Sequence, residues 1–269
     1  MAGLRQAGRL AVALAAVLTA AFCIFPSFCA SQEEKGWNTS KSTHFIVYYR
    51  NAPDDFISEL QSSAEDYYKE ITEDLGFNRF DFWTWDARAR IYVYDDAGSY
   101  RKATGQPEWS GGIVFTEQKL IQTFAFAEGF LDSVLPHEIS HIVFREFVGF
   151  RNADVPLWMD EGVAAFHEKE KYSEAKEFLN KAREQGAFLS LDALSRVKKV
   201  QSLDAFSAGV FYNEAFSIVS FLINEYGRDE FVILCRGLRD GKDMRDAFKS
   251  AYSFEGLGEM EKAWLASLE

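Results

Sequence analysis

The sequence predicts an α+β protein: a small mixed β-sheet in the first half, followed by a mostly helical half. Three observations carry this. Alternating runs rich in β-branched and aromatic residues mark strands at His44–Tyr49 and Ala89–Tyr94, with helical periodicity between them from about Asp54 to Leu75. Past residue 128 the apolar pattern turns almost wholly helical. With 269 residues, 48% hydrophobic and 25 of them phenylalanine, the chain can bury a large core, which argues against disorder.

The remaining elements follow in order. Gly111–Phe115 and Lys119–Phe124, joined by Thr116-Glu-Gln, read as a hairpin. From Gly129 to Gly149, Phe130, Leu131, Val134, Leu135, Ile139, Ile142, Val143 and Phe147 recur at helical spacing, so this helix is expected to be largely buried. A short second helix surrounds Glu161, and further helical segments fall near 172–185, 190–196, 208–226, 228–237 and 242–268. No repeat or low-complexity linker interrupts the chain. Residues 31–269 therefore read as one domain, sheet-rich over 31–127 and helical over 128–269.

Residues 1–30 carry Arg5 and Arg9 ahead of an apolar run from Leu10 to Ile24 and contain no acidic residue, the profile of a secretory signal peptide. Thr19-Ala-Ala21 and Ser27-Phe-Cys29 each satisfy the small-residue cleavage rule weakly. Leu10–Ala30 approaches membrane-spanning length, so an uncleaved anchor stays open beside a cleaved leader. Cys23 and Cys29 follow phenylalanine, which disfavours lipidation. Either way the protein is expected outside the cytoplasm. Cleavage would leave Cys235 as the one cysteine, expected as a buried thiol with no disulfide available. It would also remove Arg5 and Arg9 and so move the formal charge from −12 to −14, an acidic balance that argues against nucleic acid and anionic membrane surfaces as partners.

The chemistry concentrates in Leu135-Pro-His137-Glu138-Ile-Ser-His141 and, twenty residues after His141, Glu161 in Leu157-Trp158-Met-Asp160-Glu161-Gly162. Histidines four apart on a helix lie about 40° apart around the axis, so both imidazoles can reach one ion while Glu138 occupies the adjoining face. Hydrolytic zinc takes three protein ligands and keeps one position for water, and Glu161 is placed to be the third. Its helix neighbours Leu157, Trp158, Ala164 and Ala165 are apolar, so its carboxylate would emerge where an uncompensated charge costs several kcal/mol and a metal removes that cost. Asp160, the rival ligand, lies about 100° around the helix from Glu161, which fits a supporting or capping role better than ligation of the same ion. A metzincin would need glycine at 144 and histidine at 147, and both are phenylalanine. His167 is expected at the surface, and His44 is expected to point from a strand into solvent.

These two segments, with Phe211-Tyr212-Asn-Glu-Ala-Phe216 and Phe221-Leu-Ile-Asn-Glu-Tyr226-Gly227, resemble the bacterial peptidase MA-like domains, part of the gluzincin group that includes thermolysin and the zinc aminopeptidases. The resemblance covers roughly Trp37 to Leu268. It implies a gluzincin-like fold, one Zn2+ held by His137, His141 and Glu161, Glu138 as general base, and Tyr212 as a donor to the oxyanion. It also implies a sheet edge within Gly112–Phe124 that pairs with substrate backbone, against the alternative of a plain structural hairpin. Tyr212 equally has the apolar helix neighbours Ala215, Phe216 and Val219 of a core tyrosine. One departure stands out: thermolysin-like enzymes place a histidine-orienting aspartate four residues after the glutamate ligand, whereas Ala165 stands here. The support of the histidines must come from elsewhere, Asp160 or a backbone carbonyl.

The function so predicted is an exported zinc metallopeptidase acting on a peptide or protein substrate, with no sequence signal for its oligomeric state. The alternative is a noncatalytic, zinc-stabilised cell-envelope domain that binds protein partners. Glu138 argues against it, because structural zinc closes its fourth position and needs no base.

Overall fold

The computed structural model describes residues 36–78, 83, 87–108, 110–168 and 171–268; the leader expected over 1–30 lies outside them. The described residues fall into two compact units, one within 36–66 and 83–138 and one within 67–78 and 139–268.

The first unit carries the sheet. Its strands are β1 (Asn38–Lys41) and β2 (Phe45–Tyr49), then, after helix α1 (Asp54–Asp74), β3 (Ala89–Tyr94), and after helix α2 (Ala97–Thr104), β4 (Gly112–Phe115) and β5 (Leu120–Phe124). The spatial order is β1-β2-β3-β5-β4. β3 runs parallel to β2 and β5, while β1 and β4 pair antiparallel with β2 and β5, so the sheet is mixed as expected. A parallel β2–β3 pair requires a crossover, and α1 lies in that connection. Its apolar residues Ile57, Leu60, Ala64, Tyr67, Tyr68 and Ile71 recur every three or four positions and are buried. Strand alternation buries Phe45, Val47, Ile91, Val93 and Ile121 completely or nearly so. It turns Tyr48 and its register partner Tyr92 to the other face, where their rings stack 4.6 Å apart.

At the sheet edge, β4 approaches the turn that leads into the next helix. A β-carbon at Gly112 would fall 3.0 Å from the Phe130 ring, so any larger residue would push that ring by a few tenths of an ångström. The backbone there is held on both sides: Thr123 Oγ1 donates to Gly111 O at 2.7 Å and Ser110 Oγ to Gly112 O at 3.0 Å. The buried Tyr100 hydroxyl of α2 lies 3.0 Å from the same Ser110 Oγ.

The second unit is helical: α3 (Leu135–Val148), whose first turn belongs to the first unit, α4 (Leu157–Phe166), α5 (Lys171–Glu184), α6 (Leu191–Arg196), α7 (Ala205–Tyr226), α8 (Arg228–Arg239), α9 (Met244–Tyr252) and α10 (Leu257–Ser267). Asp204 caps α7 by accepting from the Phe206 and Ser207 amides, and the Trp158 indole of α4 donates to Ser195 Oγ on α6 at 3.0 Å.

Several expectations change in detail. The helix predicted from 129 opens as a single π-turn, Phe130–Val134, before α3 begins. The segment expected as one helix over 242–268 breaks into α9 and α10, because Ser253 adopts a left-handed conformation (φ 60°) and ends α9. β1 and α2 were not expected. β1 has no apolar residue to betray it, and α2 buries only Tyr100, although its Asp96–Ser99 capping box and Gly105 cap are helix signals in the sequence.

Candidate metal centre

α3 is buried over its first ten residues, so the polar side chains in that stretch need internal partners. His137 and His141 stand one turn apart on this helix, with Glu138 beside them; all three are buried. Glu161, 1% exposed, comes from α4. The ligand atoms of His137, His141 and Glu161 all lie within 4.8 Å of one another. His141 Nε2 and Glu161 Oε2 are 3.7 Å apart, close to the roughly 3.4 Å between two donors on one tetrahedral zinc.

The close approach of α4 and α7 explains why glycine follows Glu161. A β-carbon on Gly162 would stand 2.4 Å from the carbonyl oxygen of Ala215 and 2.7 Å from Val219 Cγ2. With glycine, α7 seats directly against α4, and Tyr212, one turn before Ala215, comes near enough to Glu161 to feel its charge. Burial, then the charges of Glu161 and Glu168, push the Tyr212 phenol well above its ordinary pKa. It is therefore a protonated, half-buried hydrogen-bond donor near neutral pH.

Asp160 supplies the support that Ala165 cannot. Its Oδ1 lies 3.0 Å from His141 Nδ1 and its Oδ2 accepts from Arg145 Nε at 2.7 Å. Burial alone would raise its pKa, but the neighbouring imidazole of His141 and guanidinium of Arg145 more than offset this and leave it at about 2. An ionised carboxylate only accepts, so His141 donates from Nδ1 and keeps the Nε2 lone pair on the Glu161 side. Sequence reasoning reached Asp160 as a supporting residue but missed Arg145, whose position one turn after His141 was a readable signal. It also missed Tyr100, which the charge of Glu138 and, more strongly, burial raise to a pKa of about 12.

The other two histidines differ from expectation. His167 is buried rather than superficial: its Nδ1 lies 2.9 Å from Ser140 Oγ and 3.1 Å from Val163 O, one of the carbonyls left over at the end of α4. His44 precedes β2 rather than alternating within it, and its Nδ1 is 2.6 Å from Glu65 Oε2, so it is paired and largely covered.

The donor set itself tests whether a metal fits. Two imidazoles and one carboxylate, converging in a buried site, form the three-ligand set of catalytic zinc rather than the oxygen-rich set of calcium or magnesium. The sequence profile of the Peptidase MA superfamily matches residues 85–269, more than half of the chain and including every residue of this site. The protein belongs to that superfamily. Among solved structures, yeast LTA4 hydrolase in complex with bestatin is similar, at 15% identity and a TM-score of 0.46, over 87% of this chain and 38% of that one. The chain thus spans well under half the length of that protein. No curated protein matches the sequence.

Proposed function

We propose that the protein is an exported zinc metallopeptidase hydrolysing peptide bonds. The observation that carries this reading is the convergence of His137, His141 and Glu161 to within 4.8 Å in a buried site, with Glu138 next to His137 on the same helix. Superfamily membership supports it.

Held by these three residues, zinc would supply the Lewis acidity that acidifies a water and polarises a carbonyl. Glu138 takes the proton of the attacking water and passes it to the leaving amine, which requires a carboxylate that is ionised before attack and sheltered from bulk water. Tyr212 donates its phenolic proton in a hydrogen bond to the developing oxyanion, a role that needs the neutral phenol its surroundings enforce. β4, the last strand of the sheet among the described residues, offers its backbone to an extended peptide. Asp160 keeps His141 in the tautomer a metal ligand requires.

Metal analysis of purified protein, paired with a chelator-sensitive assay on a mixed peptide library, tests the reading. Zinc near one equivalent with chelator-sensitive cleavage is expected. Zinc without cleavage over a broad library would favour the noncatalytic envelope domain. Export rests on Arg5, Arg9 and the Leu10–Ile24 run. N-terminal sequencing should find a mature terminus between Phe22 and Ser31 outside the cytoplasm, or residues 1–30 retained with the membrane, and full-length soluble cytoplasmic protein would contradict both.

A further inference from the structure

We propose that Arg145 is a positioning residue of the metal centre, holding Asp160 so that Asp160 holds His141; the inference rests on the metal-site reading above. Arg145 follows His141 by four residues on α3 and so stands on the same helix face. Its guanidinium serves two acceptors at once: Nε donates to Asp160 Oδ2 at 2.7 Å and Nη1 to the Asn152 carbonyl at 3.1 Å. Asn152 is in turn fixed, its amide donating to Val148 O and Leu238 O at 3.0 Å each and its Oδ1 accepting from the Asp154 amide. The guanidinium is therefore anchored from behind by a loop that cannot shift freely.

The consequence lies at Asp160. A carboxylate with one partner rotates about its last bond; here one oxygen meets Arg145 and the other His141, so its plane is set by both. The direction of the Nδ1–H bond, and with it the aim of Nε2, then depends on Arg145, a residue that touches neither ligand atom. Lysine in its place has a single point of charge and reaches one acceptor or the other, not both in fork geometry.

The test uses the full protein with zinc affinity read by chelator competition and ligand geometry read from the visible spectrum of the Co2+ form, in wild type, Arg145→Ala, Arg145→Lys, Asp160→Ala and the Arg145→Ala/Asp160→Ala double variant. Arg145→Ala should weaken zinc about 10-fold and shift the cobalt bands, the usual scale for losing support behind a ligand. Arg145→Lys should lose several-fold. The double variant should bind zinc as Asp160→Ala does, because Arg145 has no other route to the metal. Losses that multiply in the double variant, or wild-type affinity and cobalt bands in Arg145→Ala, overturn the proposal. Should Arg145→Ala not fold, Arg145→Lys decides: wild-type affinity there overturns it. Wild-type protein that takes up no zinc overturns the underlying reading and this inference together, whereas zinc-binding wild type with unaffected Arg145 variants overturns this inference alone.

Discussion

Gly162 and Ala215 touch backbone to backbone: a β-carbon on the first would stand 2.4 Å from the carbonyl oxygen of the second. Alanine favours an isolated helix over glycine by about 1 kcal/mol, whereas overpacking a filled interface costs about 1–3 kcal/mol. A backbone carbonyl cannot rotate out of the way, so the clash wins. Gly162→Ala should lower stability by about 2 kcal/mol, a melting-point drop of roughly 4–8 °C. It should also weaken zinc binding, since Glu161 is its neighbour. An unchanged or raised melting temperature would show that α4 and α7 tolerate separation.

Binding and chemistry should separate between two glutamates. Glu161→Ala removes a ligand and should abolish most zinc occupancy, measured by elemental analysis. Glu138→Gln keeps shape but cannot act as a base, so zinc content and fold should persist while peptidase activity falls at least about 100-fold. Full zinc in Glu161→Ala would displace that residue from the metal, and undiminished turnover in Glu138→Gln would move the base elsewhere.

Tyr212→Phe distinguishes a catalytic hydroxyl from a structural one. A donor engaged only as the oxyanion forms costs about 100- to 1,000-fold in kcat with KM nearly unchanged. A core hydroxyl costs about 1–2 kcal/mol of stability and little turnover. Kinetics and melting on one preparation read both, and a lowered melting temperature with unchanged kcat returns Tyr212 to the core.

Glu214 on α7 should make stability depend on pH. It is fully buried, and its Oε1 accepts from the Leu189 amide at 3.0 Å. Burial raises its pKa to about 8, with the Leu189 bond opposing the shift and the charge of Glu261 adding to it. The unfolded chain releases this proton near 4.5, so between 4.5 and about 8 the folded state holds more protons and stability falls as pH rises. The slope for one proton is at most about 1.4 kcal/mol per pH unit, and the dependence levels off on either side of the window. Denaturant titrations should show this slope in wild type and a flatter profile in Glu214→Gln. Equal slopes would assign it to other groups.

The parts of this protein written in local periodicity were legible from the sequence. α1, β2, β3, the β4–β5 hairpin and α7 fall within a few residues of expectation, because their apolar residues repeat at two or at three to four positions. The convergence of His137, His141 and Glu161 was legible too, because one helix turn brings the two histidines to one face and the apolar surroundings of Glu161 single it out. What escaped depends on distant partners. β1 is defined by its pairing with β2, His167 meets Ser140 from another helix, and Arg145 looks like an ordinary helix cation until Asp160 is folded against it. The family resemblance adds the family itself, and the superfamily match over residues 85–269 bears that out.

The connection from Gly149 to Pro156 behaves as a strut rather than a tether. Lengthening a surface loop ordinarily costs only about 0.6 kcal/mol for each doubling of its length. Here Asn152 is bonded to both Val148 and Leu238, and Arg145 is bonded to Asn152, so extra residues would change the span between the helices that bear the histidines and Glu161. Anyone inserting a tag or reporter would do better at Gly186 or Gly241, where nothing lies within 4 Å of a β-carbon position and the backbone already turns through positive φ.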